Sequence, residues 1–307
     1  MTVSIRSERR CCDGTIGSYS HLSQVALFPP DCACGEAPTP IAHVLARMIR
    51  RATRVLVGGL LILGLAGCAR TPIPEGSEGI ALHPAMHGDF GHYTLALTWQ
   101  PGFCARGAGC LADQPHKPLI GLHGLWASRP QDLVDADVPP QRWWAVGCDI
   151  YGGQDHYVPV RISDTTRRAL AQTVAHLRDD LVAHEYRKHV QCFGMPAENF
   201  FHTALVMRAR LADTSFGVYL RAQAGQTVTH AALLGVFRDS FHVDIDRALQ
   251  LQCQTDPNGV IVLTQLWFTI RRQNLTDFPR PESFMRSPQL QDNCPARFQI
   301  PAWAPKG

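Results

Sequence analysis

The chain has 307 residues, 45% apolar and 18% charged, enough apolar content for a packed core, which excludes a disordered or collagen-like polymer. Its formal net charge of +3 is not evenly spread: of 29 Lys/Arg and 26 Asp/Glu, seven and four lie in residues 1–68, which leaves 22 of each for 69–307. The body of the protein is neutral, so little long-range electrostatic grip on a polyanion is expected and phosphate recognition should be confined to a local cleft.

Residues 48–68 read MIRRATRVLVGGLLILGLAGC, a basic flank, an apolar run from Val55 to Ala66 and a small-residue end. A helix needs roughly 20 residues to cross a bilayer and this run is shorter, so an export signal is expected rather than a span. Leu65-Ala66-Gly67-Cys68 resembles the lipobox of bacterial lipoproteins. That resemblance implies cleavage before Cys68, acylation of its sulfur and tethering in the periplasm at the outer membrane. An export signal is read at an amino terminus, so residues 1–47 are expected to be a wrongly assigned upstream extension. Their cysteines (Cys11, Cys12, Cys32, Cys34) match no strong metal-ligand spacing. Residues 69–89, rich in Pro and Gly from Thr71 to Ala85, read as a flexible tether. Residues 90–307 read as one folded domain.

Within that domain Tyr93–Trp99 alternates side-chain character with period two and predicts a strand, ended by Pro101-Gly102. Leu119–Trp126 predicts a second. Asp164 is placed to cap a helix whose inner face runs Leu170, Val174, Leu177 and Leu181, at a spacing of three to four. Further helices are expected over 197–211 and after Thr229, and 260–270 (VIVLTQLWFTI) should be a central strand. Helices interleaved with strands, without a βαβ period, predict an α+β fold with a largely antiparallel central sheet flanked by helices. Cys104, Cys110, Cys148, Cys192, Cys253 and Cys294 are an even set in a chain addressed to an oxidising compartment; they predict three disulfides, whose pairing the spacing leaves open.

Two segments carry chemistry. In Gly121-Leu122-His123-Gly124-Leu125-Trp126, glycines let a backbone or ligand approach His123. In His184-Glu185-Tyr186-Arg187-Lys188-His189, four titratable side chains fall at helix angles of about 0°, 100°, 40° and 140° for His184, Glu185, Lys188 and His189, within one face. Two imidazoles can serve as general base and general acid in one turnover, and a lysine with a protonatable carboxyl suits a transition state gathering negative charge on phosphorus. The set fits phosphoryl transfer on RNA, which supplies its own 2′-hydroxyl nucleophile; DNA lacks it. A zinc hydrolase is the competing chemistry, since His184-Glu185 begins like H-E-x-x-H, but position 188 is lysine and His189 comes at i+5, about 140° from His184. No metal and no cofactor are expected.

GLHGLW and HEYRKHVQC, in that order, resemble the two active-site segments of the ribonuclease T2 family, usually written around HGLW and HEWxKHGTC. LTWQPGFC (Leu97–Cys104) and Arg142-Trp143-Trp144 leading to Gly147-Cys148 resemble its bacterial periplasmic, ribonuclease I-like branch, and the similarity spans most of 90–300. The resemblance implies the ribonuclease T2 fold and a broad-specificity endoribonuclease acting through a 2′,3′-cyclic phosphate to a 3′-phosphate. It implies His189 as general base, His123 as general acid, Glu185 and Lys188 as stabilisers of the phosphorane, and His184 as phosphate holder. It also implies the disulfides Cys148–Cys192 and Cys253–Cys294, leaving Cys104–Cys110. Trp126 offers a face for a base to stack on. Tyr186 stands for the family's tryptophan, Val190-Gln191 for Gly-Thr, and Ala127-Ser128 where fungal relatives carry the base-selecting Pro-Asp. The expected partner is RNA, with DNA left uncut, and the expected state is a monomer held at the membrane only through Cys68. A catalytically silent relative that binds RNA or a protein through the same cleft is the alternative. Other histidines (His83, His87, His92, His176, His242) read as surface or packing residues, with His202 alone kept in view.

Overall fold

Alternating side chains build the sheet that carries the site. In the computed structural model, which describes residues 82–105, 109–152 and 159–304, β1 (His92–Trp99) runs into the short helix α1 (Gln100–Cys104). Then come β2 (Ile120–Ala127), α2 (Gln131–Asp135), α3 (Pro140–Val146), α4 (Asp164–Thr173) and α5 (Leu181–His189). After these lie α6 (Ala197–Ala212), α7 (Ser215–Ala222), β3 (Gln226–Thr229), α8 (His230–Phe241), β4 (Leu249–Thr255), β5 (Ile261–Arg271) and β6 (Arg297–Ile300). The expected leader, Cys68 and most of the expected tether lie outside the described residues. Among the described residues no helix is long and apolar enough to cross a membrane.

The strands form one sheet in the order β2-β1-β5-β6-β3, with β4 also paired to β5. Every pairing is antiparallel except a single-residue parallel contact of β5 with β6, as the α+β reading expects. On β1, Tyr93, Leu95, Leu97 and Trp99 are almost wholly buried, and the first three pair with Ile270, Phe268 and Leu266 of β5. Beneath them Phe216, Phe237, Phe241 and Phe284 pack edge-to-face and tilted around Phe268. The opposite, alternate positions carry Thr94, Thr98, Gln265, Trp267 and Thr269. One sheet face thus closes the core, and the other is polar and carries the cleft.

Two boundaries differ from expectation. Ser163, not Asp164, caps α4, its hydroxyl accepting from Thr166 N. The helix also stops at Thr173 instead of running on to Leu181. Val174 turns extended and bridges Leu122 in parallel, so its backbone belongs to the β2 edge. Asp180 then starts a new helix, accepting from Val182 N and Ala183 N, a cap worth about 1 kcal/mol. The packed body also begins upstream of Phe90: Ala85 N and Met86 N donate to Phe193 O, and His87 stacks on Tyr151 at 4.0 Å.

The disulfides are Cys104–Cys110, Cys148–Cys192 and Cys253–Cys294. The second ties the turn after α3 to the residue three places beyond α5. Gly147 in that turn has φ +57°, and a Cβ there would meet Lys188 O at 2.1 Å, so the turn can press against the end of α5 only as glycine.

Candidate active site

His123 reaches the cleft because β2 is irregular. In β2, Gly124 pairs with Ala96 and Leu122 with Leu97, so the register shifts by one residue at His123, a β-bulge. Strict alternation would put His123 and Trp126 on opposite sheet faces. The bulge turns both the same way, while Leu122 and Leu125 stay in the core.

From the other side α5 brings in Glu185. Its side chain is 1% exposed and rests on Gly124, where a Cβ would lie 2.0 Å from Glu185 Oε2. Trp126 Nε1 donates to that Oε2 at 2.6 Å, and His123 Nε2 stands 3.4 Å from Oε1. Trp126 lies edge-on to His123 (5.3 Å, 83°) and nearly parallel to His189 (5.3 Å, 30°). The His184 and His189 rings are 6.2 Å apart. His123, Trp126, His184, Glu185, Lys188 and His189 all line one cleft of about 510 Å³. The structure therefore brings together the candidate side chains of the two polar segments.

The electrostatics separate their roles. Burial pushes the Glu185 carboxyl up to about 8, against the Trp126 hydrogen bond and the Lys188 charge, which pull it down. At neutral pH it is mostly a neutral acid with a proton to donate. Burial, reinforced by Lys188, His184 and His123, holds His189 well below the ordinary histidine range, so its imidazole is neutral and able to accept a proton. His184 is also lowered, by burial and then by Lys188 and Arg187.

One inference from helix angles needs correcting. His184 and His189 are about 140° apart around an ideal helix, yet donor atoms of His184, Glu185 and His189 all come within 4.8 Å of one another. Glu185 lies between them in angle, and His189 is the last residue of α5, so the long side chains converge. Spacing alone does not disqualify this trio as metal ligands. The Lys188 ammonium lining the same cleft is what opposes a cation there.

The departures from the expected pattern are accommodated. Tyr186 is buried, its hydroxyl donating to Met195 O, and Val190 is fully buried beyond the end of α5. Ser128 Oγ accepts from Gly91 N and His92 N, so it fastens the start of β1. His202 on α6 lies near Glu198, away from the cleft. Trp267 and His92 are among the cleft residues that escaped the sequence reading. Trp267 meets Trp126 edge-on at 5.3 Å and was read only as part of a strand, although its alternation with Leu266 and Phe268 places it on the polar face. His92, expected as a packing residue, lines the cleft while burial lowers its pKa to about 4.

A disulfide-stapled α+β domain with two histidines, a buried acid and a lysine in one cleft defines the class of protein. The chain belongs to the ribonuclease T2 family, whose model matches residues 90–279. Over 247 residues it is 25% identical to ribonuclease I of Escherichia coli strain K12, covering 73% of this chain and 91% of that protein. Similar solved structures include the SF11-RNase of Nicotiana alata (15% identity, 70% of this chain, 100% of that one, TM-score 0.49). Ribonuclease MC1 from bitter gourd seeds is another (18% identity, 69% and 100% covered, TM-score 0.42).

Proposed function

We propose that this T2-type ribonuclease is a metal-independent endoribonuclease that cleaves single-stranded RNA by transesterification. The observation that carries the reading is the convergence of His123 and His189 on Trp126 and the buried Glu185 within one cleft. His189, held neutral, takes the proton of the 2′-hydroxyl. The 2′-oxygen bonds to phosphorus while the bond from phosphorus to the 5′-oxygen breaks, and His123 passes its proton to that leaving oxygen. The product is a 2′,3′-cyclic phosphate. A slower second step, with water as nucleophile and the histidine roles reversed, opens it to a 3′-phosphate.

Glu185, protonated below about pH 8, donates a hydrogen bond to a phosphoryl oxygen, and Lys188 offsets the charge that gathers there. His184 holds the phosphate from the exposed side of α5. Trp126 braces the pair and presents its cleft-lining part to a base. With Ser128 engaged on the β1 backbone, no carboxylate selects a base at that position, and all four bases are accepted. The short apolar leader, Cys68 and the oxidised cysteines together support export to the periplasm and a lipid tether.

The test is to incubate the protein with single-stranded RNA and with DNA, each with and without EDTA. RNA breakdown undiminished by EDTA, with DNA intact, is expected. Turnover that EDTA abolishes contradicts the reading in favour of metal chemistry, and RNA binding without turnover marks a silent relative.

A further inference from the structure

The cleft continues across the sheet to a wall that the acid–base chemistry leaves unused. Pro288, Gln289 and Gln291 line the same cleft as His123 and His189, on a stretch without helix or strand. That stretch is nonetheless pinned. Gln250 Oε1, on a β4 side chain only 2% exposed, accepts from Gln291 N (2.6 Å) and Asp292 N (3.2 Å). Gln252 Nε2 donates to Gln291 O, Leu251 N donates to Asp292 Oδ2 (2.9 Å), and Asn293 N donates to Leu251 O (3.1 Å). The disulfide Cys253–Cys294 closes the stretch onto β4.

Burying Gln250 and half-burying Gln252 to fix a loop backbone is costly unless their hydrogen bonds are made, and here they are. The result is a loop whose conformation is set before any ligand arrives, so little ordering entropy opposes binding. Gln289 and Gln291 line the cleft from this loop, both half-buried, and among the described residues their hydrogen bonds are made by backbone atoms and not by the carboxamides. A carboxamide sets a donor and an acceptor in one plane, which matches the Watson–Crick edge of an unpaired base. Beside them lies Trp267, its indole N–H held by Gln265 Oε1 at 3.0 Å, with aromatic surface toward the cleft. These four lining residues carry no charge, so this end suits a base and not a phosphate.

We propose that Gln289 and Gln291, with Trp267, form a nucleobase subsite that holds one base of the bound strand and gives an otherwise broad enzyme a graded base preference. This rests on the ribonuclease reading of the cleft. The experiment measures, by fluorescence anisotropy, binding of four 2′-O-methyl RNA hexamers (A, C, G and U), which this chemistry cannot cut. The proteins are the wild type, Gln289→Ala/Gln291→Ala and Leu290→Ala. The double variant is expected to weaken at least one hexamer roughly tenfold, the scale of one bidentate amide–base pair, and to narrow the spread among the four. Leu290, 70% exposed between the two glutamines, is expected to leave all four affinities at wild-type values when replaced. Four unchanged affinities in the double variant, or the same loss in Leu290→Ala, would overturn the subsite. A wild type that binds none of the hexamers contradicts the RNA reading as well, a result distinct from unchanged affinities.

Discussion

Replacing His189 by alanine is expected to lower kcat on single-stranded RNA by at least about 10²-fold, and His123→Ala by a similar factor, because each removes one of the two proton transfers that the reaction requires. The positions make the two losses alike in size for different reasons. In the proposed mechanism His189 is the base, its pKa held down by burial and by the charges of Lys188, His184 and His123. His123, the proposed acid, is aimed by the bulge in β2, with Nε2 beside Glu185. Both sit on Trp126, which stays bonded to Glu185 in either variant, so KM and RNA affinity should change far less than kcat. Urea unfolding of each variant separates lost chemistry from lost fold. Near-wild-type turnover in His189→Ala would remove it from the role of base.

The second large effect is on stability. Opening Cys148–Cys192, by Cys148→Ser with Cys192→Ser, is expected to cost about 4 kcal/mol on the loop-entropy account, given the 44-residue separation. The loss should reach the site as well. The bridge fixes the chain just past Val190, where α5 ends and His189 lies next to the turn containing Gly147. The double variant should therefore unfold at lower urea concentration and lose activity at temperatures where the wild type still works. An unchanged urea midpoint would show that this bridge does not hold the end of α5.

Much of this architecture was readable before any coordinates. The alternation in β1, the β-branched and aromatic run of β5, the extent of α6, the start of α8 and the two polar segments follow from side-chain period and residue type. The break between α4 and α5 does not. Leu170, Val174, Leu177 and Leu181 keep helical spacing throughout, and only the distant Leu122 claims the backbone of Val174. The bulge at His123 is equally silent, since a strand with one extra residue reads like a strand. The helix angles that separated His184 from His189 describe Cα directions, whereas the donor atoms sit at the ends of long side chains that fold back together. The loop bearing Gln289 and Gln291 looks like a featureless linker because what holds it are glutamines about 40 positions earlier in the chain.

The most direct test of the central claim uses a DNA oligonucleotide containing one ribonucleotide, incubated with the protein in EDTA, with the products identified by mass spectrometry. The acid–base pair predicts a single cut, 3′ of the ribonucleotide, with a 2′,3′-cyclic phosphate appearing first and a 3′-phosphate later. Cleavage at deoxyribose linkages, or fragments ending in a 5′-phosphate, would contradict it.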